Sequence, residues 1–286
     1  MTKASKFANF IEASNISRWK VDDHLISQPK LYVERSEDAN AIRCVHQLLQ
    51  DLVAHYDVDN LKELSFDVRN SEAANFLLIQ SALRDTHLDA CQSILHHISG
   101  FSNPVDTEHD GHIMRAANKL RSTWYHSNAP VSTRDIGIQP ALTIQCATAA
   151  CSEKIFFSAL GAISDLVGGL LPAAVELIGK IRADKDRTAS FLLNLCIYLA
   201  NDPPFASVEN LIMDALKVEL AAIKSIQLEP ANKKQILKLL LQYTKTAAQE
   251  LYHETRAIMV KEMDGTWHPT VHDRLHMTHT SSGWTI

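Results

Sequence analysis

Glycine and proline are scarce in this sequence, with nine residues of each among 286. Such a low glycine content argues against a nucleotide-binding α/β enzyme, because phosphate-binding loops use glycine to let the backbone approach the ligand. The pair Gly168-Gly169 is not followed by the Lys-Ser/Thr of a phosphate loop, and no Gly-x-Ser-x-Gly elbow occurs. The sequence therefore contains no self-sufficient catalytic motif.

Positive charge is not in excess either. The sequence has 28 lysines and arginines and 33 aspartates and glutamates, which gives a net charge of −5. No window concentrates basic residues on one face, so a nucleic-acid partner is not expected. The N-terminus lacks the continuous apolar core of a signal peptide. The most hydrophobic region, residues 155–181, contains Asp165, Glu176 and Lys180 and therefore predicts buried helices rather than a transmembrane segment.

Cysteine is too sparse for a disulfide framework, which needs dense and paired cysteines in a small secreted domain. The five cysteines are odd in number and are scattered through apolar helical patterns. Buried free thiols in a reducing compartment are the simplest explanation. We therefore expect a cytoplasmic protein, or one delivered into a host cytosol if it is a bacterial effector. The five are Cys44, Cys91, Cys146, Cys151 and Cys196.

Helical periodicity is what the sequence has in abundance. Apolar residues recur at three- and four-residue steps from end to end, while strand patterns are almost absent. The predicted fold class is therefore all-α, a multi-helix bundle. Pro172 suits the first turn of a helix, where a missing N–H is tolerated. The predicted helices cover approximately residues 38–56, 71–83, 85–98, 111–125, 142–151, 153–167, 172–183, 187–200, 207–226 and 231–263.

The longest stretch without helical periodicity covers residues 127–134 and predicts a boundary between two parts of the chain. Residues 1–130 are expected to form an N-terminal helical bundle, which packs on a helical core formed by residues 131–263. Residues 264–286 are rich in histidine, threonine, serine and tryptophan and are expected to form a tail.

Two groups of histidines raise the question of a metal site. Residues 108–112, Glu-His-Asp-Gly-His, contain a His-Asp pair like that of metal-dependent phosphohydrolases. The residues before this pair indicate a solvent-exposed polar loop instead. Four histidines within residues 268–279 would share one face of a helix, but Pro269 and its Thr/Ser neighbours favour a solvated tail. We therefore expect no metal and no cofactor.

Four features follow one another from residue 153 onward. A helix carries Ile-Ser-Asp at residues 163–165, and an acidic Ala-Asp-Lys-Asp turn follows at residues 183–186. A very apolar helix then ends in Ala-Asn-Asp-Pro-Pro at residues 200–204, and Tyr-Thr-Lys-Thr stands at residues 243–246. This order of features resembles the vacuolar protein sorting nine domain, which catalyses guanine-nucleotide exchange on endosomal Rab-type GTPases.

The resemblance implies a guanine-nucleotide exchange factor of vesicle trafficking, whose partner is a small Rab-type GTPase. Asp184 or Asp186 would enter the nucleotide site of the GTPase, where the carboxylate would compete with phosphate and Mg²⁺ contacts. Such an exchange catalyst needs no cofactor and forms no covalent intermediate. The partner-binding surface would comprise Tyr243, Thr246, Asn201, Pro203 and Pro204.

The residues alone leave open a second interpretation, a non-catalytic helical scaffold or effector that binds a partner protein. The two interpretations differ in what they place on the surface. Exchange activity predicts that Asp184 or Asp186 is exposed beside a groove that includes Tyr243, whereas a scaffold needs only an exposed apolar patch. A metal-dependent hydrolase would require His109 and Asp110 to meet further ligands in a pocket.

Overall fold

A computed structural model describes residues 7–16, 19–21, 31–32, 42, 45–46, 48–49, 60–99, 138–200, 208–224 and 233–262. The fold is all-α, as predicted from the periodicity. The helices with described bounds are α1 (Ala8–Ile16), α2 (Asn60–Asp67), α3 (Ser71–His97), α4 (Ile138–Ser158), α5 (Leu160–Val167), α6 (Pro172–Ala200), α7 (Val208–Lys224) and α8 (Lys233–Glu262).

Three of these helices are longer than the sequence pattern predicted. Helix α4 continues to Ser158, past the break predicted between residues 151 and 153. The helices expected over residues 71–83 and 85–98 form one helix, α3, and those over 172–183 and 187–200 form one helix, α6. Neither junction contains glycine or proline, so nothing in the backbone ends the hydrogen-bond ladder there. The acidic segment 183–186, predicted to be a turn, therefore lies in the middle of α6. The predicted start of that helix at Pro172 is confirmed.

The ends of α3 illustrate how local chemistry sets its limits. The side chain of Asn70 accepts a hydrogen bond from the backbone N–H of Ala73 at 2.9 Å, which satisfies one exposed amide of the first turn. After His97 the chain enters strand β2 (Ile98–Ser99), which pairs in parallel with strand β1 (Leu31–Tyr32). This short pair ties the N-terminal segment to the end of α3.

The centre of the fold is the contact between α4 and α6, which is the most extensive between any two described helices. Helices α1 and α3 pack against α6, and α7 and α8 pack against α4. Phe76 of α3 stacks on Phe191 of α6 with ring centroids 3.9 Å apart, and Phe7 adds a tilted ring at 5.3 Å. One continuous apolar core therefore joins the N-terminal helices to the rest of the bundle.

The predicted helix over residues 38–56 is confirmed at the positions that the structure describes. Ile42, Val45, Leu48 and Leu49 are helical and buried, as their spacing requires. The predicted boundary at residues 127–134 and the tail at 264–286 lie outside the described residues.

The stretch Leu142–Leu166, which covers most of α4 and α5, is long and apolar enough by composition to cross a membrane. Of its most apolar window, 71% is buried against the rest of the protein. A core helix of a bundle gives the same signal, because a helix that is apolar all round is covered on all sides.

Candidate functional site

A buried polar cluster lies between α3 and α6, in the middle of the apolar core. Its centre is Asp184 of α6, which is 1% exposed. Oδ2 of this carboxylate accepts a hydrogen bond from Nε1 of Trp19 at 2.8 Å and lies 3.0 Å from Nε2 of His87. Oδ1 accepts a hydrogen bond from Nη1 of Arg187 at 2.9 Å. Three side chains from separate parts of the chain thus converge on one carboxylate.

The protonation states in this cluster follow from its burial and hydrogen bonds. Burial lowers the pKa of His87, although its hydrogen bond to Asp184 opposes the shift. Burial alone would raise the pKa of Asp184, but the hydrogen bonds from His87, Trp19 and Arg187 outweigh it, and the pKa is lowered. Near neutral pH the cluster therefore holds an aspartate anion and a neutral imidazole, whose Nε2–H donates to the carboxylate.

A second buried pair lies one residue further along α6. Nζ of Lys185 is 2.9 Å from Oε2 of Glu153 on α4, and the two side chains are 9% and 13% exposed. The same ammonium lies 4.4 Å from the ring centroid of Phe157. Burial raises the pKa of the neighbouring Cys91 thiol to about 12, with the charge of Lys185 opposing the shift. The thiol is therefore neutral, and Lys185 is balanced by Glu153.

Hydrogen bonds among uncharged side chains extend the cluster toward α1. The hydroxyl of Thr188 is 2.9 Å from Oε1 of Gln80, and Nε2 of Gln80 donates to Oγ of Ser14 at 2.9 Å. These contacts join α6, α3 and α1 inside the core. Buried polar groups that are satisfied in this way fix one arrangement of the helices, because any other leaves them without partners.

A separate cleft of about 210 Å³ opens on the surface between α4, α6 and α8. Nζ of Lys154 bridges Asp186 at 3.0 Å and Glu250 at 2.9 Å across this cleft. The hydroxyl of Tyr243 donates to Asp165 at 2.6 Å, which raises the pKa of the tyrosine. The cleft is lined by Lys154, Phe157, Ser158, Arg182, Asp186, Gln242, Tyr243, Thr246, Ala247 and Glu250.

Gly161 lets the ring of Tyr243 pack closely against the backbone of α5. A methyl group at position 161 would overlap that ring. We expect Gly161→Ala to displace the ring, break its hydrogen bond to Asp165, and lower the free energy of unfolding by about 1–2 kcal/mol. Gly179→Ala is the matched control: it faces open space on α6 and should raise stability by about 0.5–1 kcal/mol. Urea unfolding of both variants measures the difference. Equal stability would show that the ring does not pack on the Gly161 backbone.

The two predicted catalytic residues have opposite environments. Asp184 is buried in the polar cluster, whereas the side chain of Asp186 is 53% exposed and lies in the cleft with Tyr243 and Thr246. Three of the residues predicted from the sequence are thus neighbours. Asn201, Pro203 and Pro204 lie outside the described residues, as do residues 108–112 and 268–279.

Comparison with known proteins identifies the fold. No family model and no curated protein matches the sequence. The chain is similar in structure to a candidate class I ribonucleotide reductase from Bacillus halodurans, with a TM-score of 0.63 and 12% sequence identity. The match covers 88% of this chain and 92% of the other. At this identity the likeness shows the fold alone.

The prediction of a Rab guanine-nucleotide exchange factor is wrong. The fold is that of a ribonucleotide reductase-like helical bundle over most of the chain, and not of a vacuolar protein sorting nine domain. The resemblance rested on an acidic turn at residues 183–186, which is the interior of α6. Asp184 is held by three donors inside the core and cannot extend into a partner's nucleotide site.

Ferritin-like bundles hold two metal ions with one glutamate from each of two helices and a Glu-x-x-His motif from each of two others. The residues that the structure describes do not fit such a centre. Glu-x-x-His occurs once in the sequence, at Glu250–His253, and both side chains are exposed on α8. Among the described residues, no group of three or more histidine, cysteine, aspartate or glutamate side chains could hold a metal ion.

The sequence did contain a signal for the buried cluster. Asp184, Lys185 and Thr188 lie on the same stripe of α6 as Ile181 and Leu192, at the three- and four-residue steps of a core-facing helix. Charged residues on an apolar stripe predict a buried and paired polar site. Trp19 carried no such signal, because it stands outside any periodic segment.

Proposed function

We propose that the protein transfers single electrons through Trp19, with Asp184 as the base that takes the indole proton. The observation that carries this proposal is the 2.8 Å hydrogen bond from Nε1 of Trp19 to an ionised, buried carboxylate. The same oxygen is bound by His87, whose ring stacks on the indole at 5.7 Å with an angle of 26°.

The chemistry follows from the acidity of an oxidised indole. Removal of one electron from Trp19 by a one-electron oxidant on a partner makes the indole N–H strongly acidic. The proton then moves along the existing hydrogen bond to Oδ2 of Asp184, which leaves a neutral indole radical and a protonated carboxyl. Nζ of Lys180 lies 5.8 Å from the ring centroid and disfavours a positive charge on the indole, which promotes the loss of the proton. Return of the electron and the proton restores the starting state.

Burial favours this role over chemistry on a bound substrate. His87 and Asp184 are 2% and 1% exposed, so a substrate could touch them only if the helices separated. An electron can reach a buried group by tunnelling. Trp19, which is half-buried, is more exposed than these two residues and would exchange the electron with the partner. The structurally similar protein is named as a reductase, and that name supports a redox role.

Flash-quench oxidation by a ruthenium tris-bipyridine complex tests the proposal. The wild-type protein should give a neutral tryptophan radical, detected by transient absorption and electron paramagnetic resonance. Trp19→Phe should remove this signal, while Trp124→Phe should leave it. Asp184→Asn keeps the shape but provides no base, and should slow deprotonation of the indole cation by about 10²-fold or more. Circular dichroism confirms that each variant is folded.

Two results would contradict the relay. If the radical signal survives in Trp19→Phe, another residue is oxidised in its place. If Asp184→Asn deprotonates as fast as the wild type, water is the base and the carboxylate has only a structural role.

A further inference from the structure

We infer that the Lys185 ammonium, paired with Glu153, takes the place of the metal centre that ferritin-like bundles hold. The chain is then a bundle that excludes a di-metal centre by its own residues. The inference rests on Lys185, Glu153 and Arg84, and does not depend on the electron transfer proposed for Trp19.

Two core helices face each other with residue pairs at the spacing of a metal-binding motif. Ferritin-like bundles place Glu-x-x-His on two core helices. At this spacing α3 carries Arg84 and His87, and α6 carries Lys185 and Thr188. The two helices meet at these positions, because His87 is bonded to Asp184, the residue before Lys185. Of the four positions, only His87 has a side chain of the glutamate or histidine type that such a centre uses.

The glutamate positions of the two motifs carry positive charge in this chain, at Arg84 and Lys185. An ammonium and a guanidinium carry no lone pair, so neither can ligate a metal ion while protonated. They also repel a divalent cation, and in a poorly solvated core this repulsion is strong. Lys185 is 9% exposed at the side chain and Arg84 is half-buried, so solvent screens this repulsion only weakly.

One carboxylate remains beside Lys185. Glu153 of α4 is a carboxylate of the kind that a bundle of this type contributes to its metals from a neighbouring helix. A buried carboxylate must be paired with a cation, since an isolated charge in the core is unstable. Lys185 supplies that cation at 2.9 Å, and the ring of Phe157 at 4.4 Å stabilises the ammonium further. The charge of Glu153 is therefore balanced without any metal.

The test is to restore the ligands and ask whether the core accepts metal. In the triple variant R84E/K185E/T188H, both helices carry Glu-x-x-His and Glu153 remains. Titration with Co²⁺ should give ligand-field absorption bands and at least one ion bound per chain in the variant, because Glu153 is one of the two further glutamates of a complete di-metal centre. Co²⁺ should also raise the unfolding temperature of the variant by several degrees, because it binds only the folded state. The wild type should show neither effect. Its histidine-rich residues 264–286 are unchanged in the variant, so the difference in stoichiometry reports the core.

A second pair of variants covers the case in which the triple variant does not fold. K185M leaves Glu153 in the core without its cation, whereas E153Q/K185M removes both charges. The single variant should therefore unfold at a lower urea concentration than the double variant. The inference is overturned if the wild type itself acquires the Co²⁺ bands and the rise in unfolding temperature. It is also overturned if a folded triple variant binds no more Co²⁺ than the wild type, or if K185M is as stable as the double variant.

Discussion

Replacement of Asp184 by alanine should lower the free energy of unfolding by about 3–5 kcal/mol, the range measured when one partner of a buried ion pair is removed. The variant leaves Trp19, His87 and Arg187 without the carboxylate that all three bind. Asp186→Ala, two residues further along the same helix, should lower it by only about 0–1 kcal/mol. Its carboxylate is 53% exposed, and Lys154 keeps Glu250 as a partner.

Equilibrium unfolding in urea measures both free energies under one set of conditions. Asp184→Asn serves as an intermediate, since the amide keeps the shape and loses the charge, and it should lower the free energy by about 1–3 kcal/mol. The two alanine variants share a helix and a residue type, so their difference reports burial and pairing. Equal losses for Asp184→Ala and Asp186→Ala would show that the carboxylate of Asp184 is not a structural centre.

The fold class could be predicted because the helices of this chain follow from the spacing of apolar residues that are close in sequence. Ile42, Val45, Leu48 and Leu49 repeat at helical steps and are buried in a helix. Pro172 begins α6 because a proline at the first helical position loses no hydrogen bond. Such features depend on a few neighbouring residues, and a single sequence contains all of them.

The site could be predicted only in part, because its contacts join distant residues. Trp19 and Asp184 are separated by 165 positions, and His87 and Asp184 by 97, so no local pattern connects them. The cleft was easier to anticipate, since Asp186, Tyr243 and Thr246 were grouped from the sequence and do lie together. Their proposed activity was wrong because a similar order of short motifs also occurs on an unrelated helical fold.

The acidic segment shows why polarity alone misled the prediction. Ala-Asp-Lys-Asp at residues 183–186 has the composition of a turn, and helix propensity differs by less than about 1 kcal/mol among these residue types. Tertiary contacts decide the outcome: Asp184 and Lys185 each find a partner in the core, while Asp186 faces solvent. A charge pattern cannot distinguish a solvated loop from a buried, paired site unless its helical phase is considered.

The stability of the protein should fall as the pH is lowered from about 6.5, and His87 should be responsible. Its pKa is lowered in the folded state from the ordinary value of 6.5, so below that value the unfolded chain binds a proton that the folded protein does not. The difference of one proton corresponds to a loss of up to about 1.4 kcal/mol for each pH unit. The pKa of Asp184 is also lowered, from 3.8, so protonation of the unfolded carboxylate adds a second loss near and below that pH.

The variant His87→Asn separates the two contributions, because asparagine does not titrate. Urea unfolding at intervals from pH 7.5 to pH 3.5 should give a wild-type free energy that declines throughout the acid range. In His87→Asn the free energy should stay level between about pH 6.5 and pH 4.5 and decline only where carboxylates titrate. His253→Asn, on the exposed face of α8, is the matched control and should keep the wild-type slope. If the slope above pH 4.5 persists in His87→Asn, another group causes the loss of stability and the contribution assigned to His87 is wrong.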